Sequence, residues 1–261
     1  MSFSYALLQM PPFVLLMLTL LLFTALSAGG TWFFKKYIRV RYLRAHNEVV
    51  GYVFSVVGGF YGLLLGFVVF FVWDALNQAQ ADASREGSLA RAFYRDIRYF
   101  PDTVETKPLM DSYLKYVDFV VDEEYPTMER LEPLGALSRA TFNDVFRQME
   151  LLYVHEPKVE PMFSNLNELA TYRSLRQTDA SAEIPVEIWV PLLLGGLITM
   201  LFATMINMQS TRLHIMVNGL LGAFIGLVFF IILILDHPFT GQIKIEPTEY
   251  GIIKKMGKSG E

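Results

Sequence analysis

Residues 49–100 read VVGYVFSVVGGFYGLLLGFVVFFVWDALNQAQADASREGSLARAFYRDIRYF. From Val49 to Trp73, 25 residues pass without an Asp, Glu, Lys or Arg. At ~1.5 Å per residue that run crosses ~30 Å of hydrocarbon with some tilt. No proline interrupts the stretch until Pro101. The pattern predicts one long helix that begins in a bilayer and continues into water. In its apolar half Gly58, Gly62 and Gly66 recur every fourth residue and stack on one stripe. Glycine weakens a helix in water by ~1 kcal/mol relative to alanine. In lipid it lets a second backbone approach closely. Phe60, Phe67 and Phe71 lie on a different side. In the polar half Leu76, Ala79, Ala83, Glu86, Ala90, Phe93, Ile97 and Phe100 alternate spacings of three and four. That is a seam for packing on neighbouring helices, interrupted by one acid, Glu86.

The remaining composition agrees with a membrane protein. The chain has 261 residues, 53% of them hydrophobic, with a mean hydropathy of +0.35. It contains no cysteine, which excludes disulfides, thiolate catalysis and cysteine-ligated zinc. Residues 1–34 carry no charged side chain, and Pro12 to Phe34 reads as a first span rather than a cleaved signal. Trp32, Phe33 and Phe34 ahead of Lys35 and Lys36 form an interfacial aromatic belt with a charged anchor. The basic connection supplies Lys35, Lys36, Arg39, Arg41 and Arg44, and with Tyr37 and Tyr42 it suits anionic headgroups. Ile188–Thr211 and Leu213–Leu235 are the third and fourth spans. Asn218, Gly222 and Gly226 repeat the four-residue spacing in the fourth. This predicts close packing of spans two and four, with Asn218 in an interhelical hydrogen bond.

Between Pro101 and Ser181 the spacing is helical. Leu109, Tyr113, Tyr116, Val117 and Val120 form one stripe. Leu134, Leu137, Thr141, Val145 and Met149 form a second, with Phe142 and Phe146 alongside, and Leu166, Leu169, Ala170 and Arg173 open a third. No alternating strand pattern and no internal repeat is present. The expected fold class is an all-α integral membrane protein: four transmembrane helices with a helical extramembrane domain inserted between helices 2 and 3. The expected divisions are 1–76 (helices 1 and 2), 77–185 (helical domain), 186–236 (helices 3 and 4) and 237–261 (a polar tail). Both termini then lie on the domain's side. Residues 77–187 hold 12 basic and 20 acidic residues. The six cations of loop 35–48 and Arg212 outnumber the four of the tail (Lys244, Lys254, Lys255, Lys258), which favours the domain outside the cell.

Several motifs resemble one family. Leu64-Leu65-Gly66-Phe67, Trp73, Ala79 and Arg85-Glu86 are similar to the core motif of the bestrophin-like domain family of bacterial and plant membrane proteins. So are Glu124-Tyr125-Pro126 and Leu235-Asp236-His237-Pro238-Phe239-Thr240-Gly241. The family bears a distant similarity to bestrophins, oligomeric anion channels built of four-span subunits. The resemblance implies an oligomeric ion channel or pore with the second span lining it. Phe67, Phe70 and Phe71 become pore-neck candidates, with Ser55 further along the same helix. Asp236, His237, Pro238 and Phe239 become a membrane–domain junction. The resemblance also implies a cytoplasmic domain, against the charge count. Where calcium-gated bestrophins carry an acidic run, this chain has Thr240-Gly241-Gln242-Ile243-Lys244, so calcium gating is not implied.

The chemistry of the remaining residues is open at this level. The four histidines lack metal-ligand spacing, and no phosphate loop, dinucleotide fingerprint or nucleophile elbow occurs. No enzyme, cofactor or metal site is expected. The acidic domain does not favour nucleic acid. Asp236-His237 reads either as a proton relay or as the interfacial end of span four. Glu86 reads as a partner of Arg173 or Arg176, as part of an oligomeric vestibule, or as a surface acid beside Arg85. Asp122, Glu123 and Glu124, close to Asp118, read as a solvated face or as a vestibule ring that concentrates cations. The expected partners are the bilayer, ions and further copies of the chain, in the inner cell membrane. The competing function is a membrane-anchored sensor or scaffold whose helical domain binds a partner.

Overall fold

The computed structural model describes residues 7–37 and 44–259. Among them every regular element is helical. In chain order these are α1 (Pro12–Tyr37), α2 (Arg44–Arg98), α3 (Thr103–Phe119), a π-helical turn (Val120–Glu124), α4 (Tyr125–Glu129), α5 (Ala136–His155), a 3₁₀ turn (Pro157–Val159), α6 (Glu160–Ser181), α7 (Val186–Met205), α8 (Thr211–Leu235) and α9 (Thr248–Ser259). Helix α2 is helical through all 55 of its residues, Trp73 included. Four helices among the described residues are long and apolar enough to cross a membrane. The fold divides into two compact units. One comprises Leu7–Asp74 and Glu183–Asp236; the other is built from Ala75–Ala182 and His237–Glu261. Arg39, Arg41 and Tyr42 of the basic connection lie outside the described residues.

The first unit, here the span unit, is held by close backbone approach. Helix α8 packs along α1. A Cβ added at Gly222 would strike the Phe23 carbonyl, and one at Gly226 would lie 2.8 Å from the Thr19 carbonyl. The small residues therefore seat the fourth span on the first, not on the second as the shared spacing suggested. The Phe23 and Phe229 rings meet at a tilt of 30°, their centres 4.8 Å apart, beside this contact. Ser27 Oγ donates to the Asn218 carbonyl at 2.7 Å, and Asn218 Nδ2 donates to Thr31 Oγ1 at 2.7 Å. The expected interhelical hydrogen bond of Asn218 is thus made to α1. Helix α2 contributes Tyr61, whose hydroxyl donates to the Leu192 carbonyl at 3.0 Å, with the ring lying against Gly195 and Gly196. Tyr61, Leu65, Val68 and Val72 are its buried stripe. By contrast, a Cβ at Gly58, Gly62 or Gly66 would meet no atom within 4 Å.

The second unit, the helical unit, has a mixed core. Ala79, Ala90, Phe93 and Ile97 of α2 pack with Leu109, Tyr113, Tyr116 and Val117 of α3, Val145 and Met149 of α5, and Leu166 and Leu169 of α6. The seam and the α3 stripe lie where their spacing places them. The α5 stripe is shifted: Leu137 is exposed, and Ser138, Phe142, Val145, Met149 and Leu152 are buried. The reason is polar, because Ser138 bonds with a buried acid, Glu124. The 237–261 stretch is more than a polar tail. Helix α9 buries Tyr250 and Ile253 in this core, and Gly257 lies against Leu114. Arg91–Glu249 (2.9 Å) and Lys254 with Asp118 and Asp122 flank the contact.

Candidate functional site

Two groups of candidate residues sit on α2, one in each unit. In the helical unit, α2 supplies Glu86 at the centre of the seam, where a regular helix points it into the core. The π-helical turn supplies Glu124. A π turn spreads one extra residue over the turn and rotates the residues after it about the helix axis. It splits the acidic run: Asp122 and Glu123 stay exposed, whereas Glu124 is fully buried. Helix α6 supplies Arg173 and Arg176, three residues apart on its buried face.

These four charges form one network. Arg176 is completely buried and bridges both acids. Its Nε and Nη2 donate to the two Glu86 oxygens, and Nη2 also donates to Glu124 Oε2 at 2.7 Å. Arg173 Nη2 donates to Glu124 Oε1 at 2.7 Å and to the Ser138 carbonyl at 2.9 Å. Ser138 Oγ donates to the same Glu124 oxygen at 2.6 Å, and Tyr250 of α9 donates its hydroxyl to Glu86 at 2.8 Å. The Arg176 guanidinium lies 4.9 Å from the centre of the Tyr125 ring, and Arg173 lies 4.8 Å from Phe142. Two cations meet two anions, so the cluster is formally neutral.

Electrostatics keep it ionised. Burial alone pushes the Glu124 carboxyl up, but the Arg176 and Arg173 charges and the hydrogen bonds outweigh it and hold it below the usual carboxylate range. Burial lowers Arg176, and the opposing charges, Glu86 foremost, raise it well above its ordinary value. Burial, with Glu86 next, pushes the Tyr116 and Tyr250 phenols up, so both remain neutral hydroxyls. A buried pair of this kind adds little net stability over an apolar replacement. Removing one member, however, strands a charge and costs ~3–5 kcal/mol. The arrangement can fix helices in register.

Some of the residues that carried the family resemblance belong to the helical unit with this network, whereas Leu64, Leu65, Gly66, Phe67, Trp73, Leu235 and Asp236 belong to the span unit. Ala79 and Glu86 come from the first motif and Glu124 and Tyr125 from the second. Phe239 packs edge-on against Tyr125 at 6.0 Å, and Thr240 Oγ1 donates to the Glu129 carbonyl at 3.1 Å. Glu86 takes the Arg176 partner foreseen for it. Neither Glu86 nor Glu124 is placed to ring a vestibule, because both are fully buried within one chain. Arg85 pairs with Glu168 at 3.1 Å instead of with Glu86. Asp122 is an exposed partner of Lys254. Asp236 accepts from the Ile184 backbone N–H at 2.8 Å, so its carboxylate caps the approach to α7, while its own backbone N–H donates to the Ile232 carbonyl at 3.0 Å. His237 is buried, and Pro238 accepts from the Ile245 N–H at 2.9 Å. Among the described residues no three His, Asp or Glu side chains converge as a metal site would require.

In the span unit, Phe67, Phe70 and Phe71 are exposed, and Ser55 is exposed with its hydroxyl bonded to the Gly51 carbonyl at 2.9 Å. Gly58, Gly62 and Gly66 are open along one side of the same helix segment. The buried Tyr61 stripe escaped the sequence reading because the segment is apolar all round, which hides which face is covered.

Known proteins resemble this chain in family and in fold. The bestrophin-like domain family matches residues 21–250. No curated protein matches the sequence. Among solved structures, a point variant of a bacterial bestrophin homolog from Klebsiella pneumoniae superposes with a TM-score of 0.67 at 13% identity, covering 94% of this chain and 99% of that one. A second variant of that homolog gives 0.64 at 14%, covering 94% and 97%. A structure described as a membrane protein variant gives 0.68 at 13%, covering 94% and 99%. At these identities the likeness is one of fold.

Proposed function

Because the chain belongs to the bestrophin-like domain family, we propose that it is an oligomeric ion channel of the inner cell membrane, with the apolar half of α2 lining the conduction path. One observation carries this reading. The second span has a long face that the described residues leave uncovered, with Gly58, Gly62 and Gly66 on one side and Phe67, Phe70 and Phe71 beyond them. Glycines at helical spacing admit a second backbone, so copies of α2 gathered about an axis would account for them. Aromatic and apolar rings at a constriction govern passage by wetting and dewetting. Residues 77–185 then form a helical domain inserted between spans two and three. Its buried Glu86–Arg176–Glu124 network fixes the direction in which α2 enters the domain.

The test is a planar bilayer containing purified protein. Current is expected, and Phe67→Ala or Phe71→Ala is expected to change it. Silent bilayers holding verified oligomers would contradict the reading. A monomer in detergent, or a stable soluble partner retained on purification, would favour the anchored scaffold instead.

A further inference from the structure

The span unit is electrically polarised along its helices. At one end Lys35 Nζ donates to the Met208 carbonyl at 3.0 Å, and Asn47 exchanges hydrogen bonds with the Asn207 backbone. The end of α1, the start of α2 and the α7–α8 connection therefore meet there. The sequence places five Lys or Arg and no acid before Glu48, and Arg212 opens α8. At the opposite end Asp236 holds Ile184, and the charges are Asp74, Glu183, Glu187 and Asp236, with no Lys or Arg.

Lys35, Lys36 and Arg212 at the basic end have no acid partner among the described residues. Lys35 bonds a backbone carbonyl. Lys36 Nζ sits 4.7 Å from the Trp32 ring centre and 5.3 Å from that of Tyr37. Arg212 is exposed. In the helical unit Arg85, Arg91, Arg130, Arg147, Arg173, Arg176, Lys244 and Lys254 pair with carboxylates. Trp32, Phe33 and Tyr37 beside Lys36 are exposed aromatics at the end of an apolar span. Such rings settle at the headgroup level of a bilayer, which brings the cations to the same depth.

We propose that Lys36, Arg212 and the Trp32 and Tyr37 rings beside Lys36 form a contact surface for anionic phospholipid headgroups, confined to one leaflet. The lipid phosphate and its extra negative charge supply the counterion that the chain withholds. The acidic end of the same unit turns such lipids away. This inference does not depend on conduction.

The experiment uses the intact protein in nanodiscs of equal phosphatidylglycerol and phosphatidylcholine, with retained lipids counted by native mass spectrometry. The wild type should retain phosphatidylglycerol well above its share of the bilayer. Lys36→Gln and Arg212→Gln should each lower that preference by ~fivefold, on the order of the effect of one basic residue at a charged surface. Glu187→Gln at the far end should leave it unchanged or raise it. Inorganic phosphate added during ejection should not displace the lipid. Retention of the two lipids in their feed ratio would overturn the proposal, as would a preference that survives the double variant. Full displacement by phosphate would overturn it too, by showing a site for a free anion instead of a lipid.

Discussion

The two units use charge in opposite ways. The helical unit takes four ionised side chains inside and neutralises them against one another around Arg176. The span unit joins its helices through glycines and single hydroxyl or amide bonds, and leaves Lys36 and Arg212 without acid partners among the described residues at one end. The difference follows from the surroundings. In water the drive to bury apolar surface supplies stability, and buried ions serve as alignment pins. Between lipid tails there is no such drive between helices, so shape complementarity and a few hydrogen bonds must suffice. Substitutions in the two units should fail differently.

The largest effect is expected at Arg176. Arg176→Met leaves Glu86 and Glu124 buried without their main partner and should cost ~3–5 kcal/mol in urea unfolding followed by circular dichroism. Combining it with Glu86→Gln, which leaves Arg173 paired with Glu124, should return most of that loss. A single substitution costing under about 1 kcal/mol would mean that the network is not the pin described.

Next comes Gly222. Gly222→Leu forces a side chain into the Phe23 backbone and should cost ~1–3 kcal/mol or separate α1 from α8 outright. A Cβ at Gly62 meets nothing within 4 Å among the described residues, so Gly62→Leu has room. It should leave a detergent monomer unchanged while weakening the oligomer on size-exclusion chromatography. Equal tolerance at both positions would erase the distinction between a covered and an open glycine face.

A smaller loss is expected at Asn218. Asn218→Leu removes its side-chain bond to Thr31 and should lower stability by ~0.6–1.7 kcal/mol, the range of hydrogen bonds between spans.

The smallest effect concerns pH. Asp82 is buried on α2 with Gln78 Nε2 donating to it at 3.0 Å, and Asp179 on α6 has a buried oxygen without a hydrogen-bond partner. Burial, and then the Asp82 charge, raises the Asp179 carboxyl above its ordinary 3.8. A raised acid binds its proton more tightly in the folded state, so its ionisation opposes folding. Stability from this group grows as pH falls through the raised value and is complete below 3.8. Glu124 acts in the other sense: its contribution is present above the ordinary carboxylate range and is lost as pH falls through its lowered value. Asp179→Asn should therefore raise the melting temperature slightly at neutral pH and flatten its rise on mild acidification. A variant with the wild-type pH profile would show that the two acids do not interact.

Much of this contrast is legible in the sequence. The charge-free runs mark the four spans, and the seam of Ala79, Ala83, Glu86, Ala90, Phe93 and Ile97 marks the face of α2 that enters a core. Three things are hidden. Gly58–Gly62–Gly66 and Gly222–Gly226 have the same local spacing, and spacing does not say whether a partner lies opposite. Glu124 looks like one acid of a solvated run because an i→i+5 turn has no composition of its own. Helix α9 sits in a segment rich in lysine, where Tyr250 and Ile253, three residues apart, are the one sign of a buried face. The pairing of Glu86 with Arg176 is within reach because both carry charge on otherwise apolar stripes.

The central claim, that the open face of α2 borders the conduction path, is tested most directly by thiol modification. The chain has no cysteine, so a single introduced thiol reports without background. Phe71→Cys on α2 and Leu220→Cys on the exposed side of α8 would be compared in planar bilayers with a charged, membrane-impermeant thiosulfonate. The account predicts that the reagent changes the current through Phe71→Cys and leaves Leu220→Cys unaffected. Current through Phe71→Cys that ignores the reagent, with Leu220→Cys responding, would contradict it.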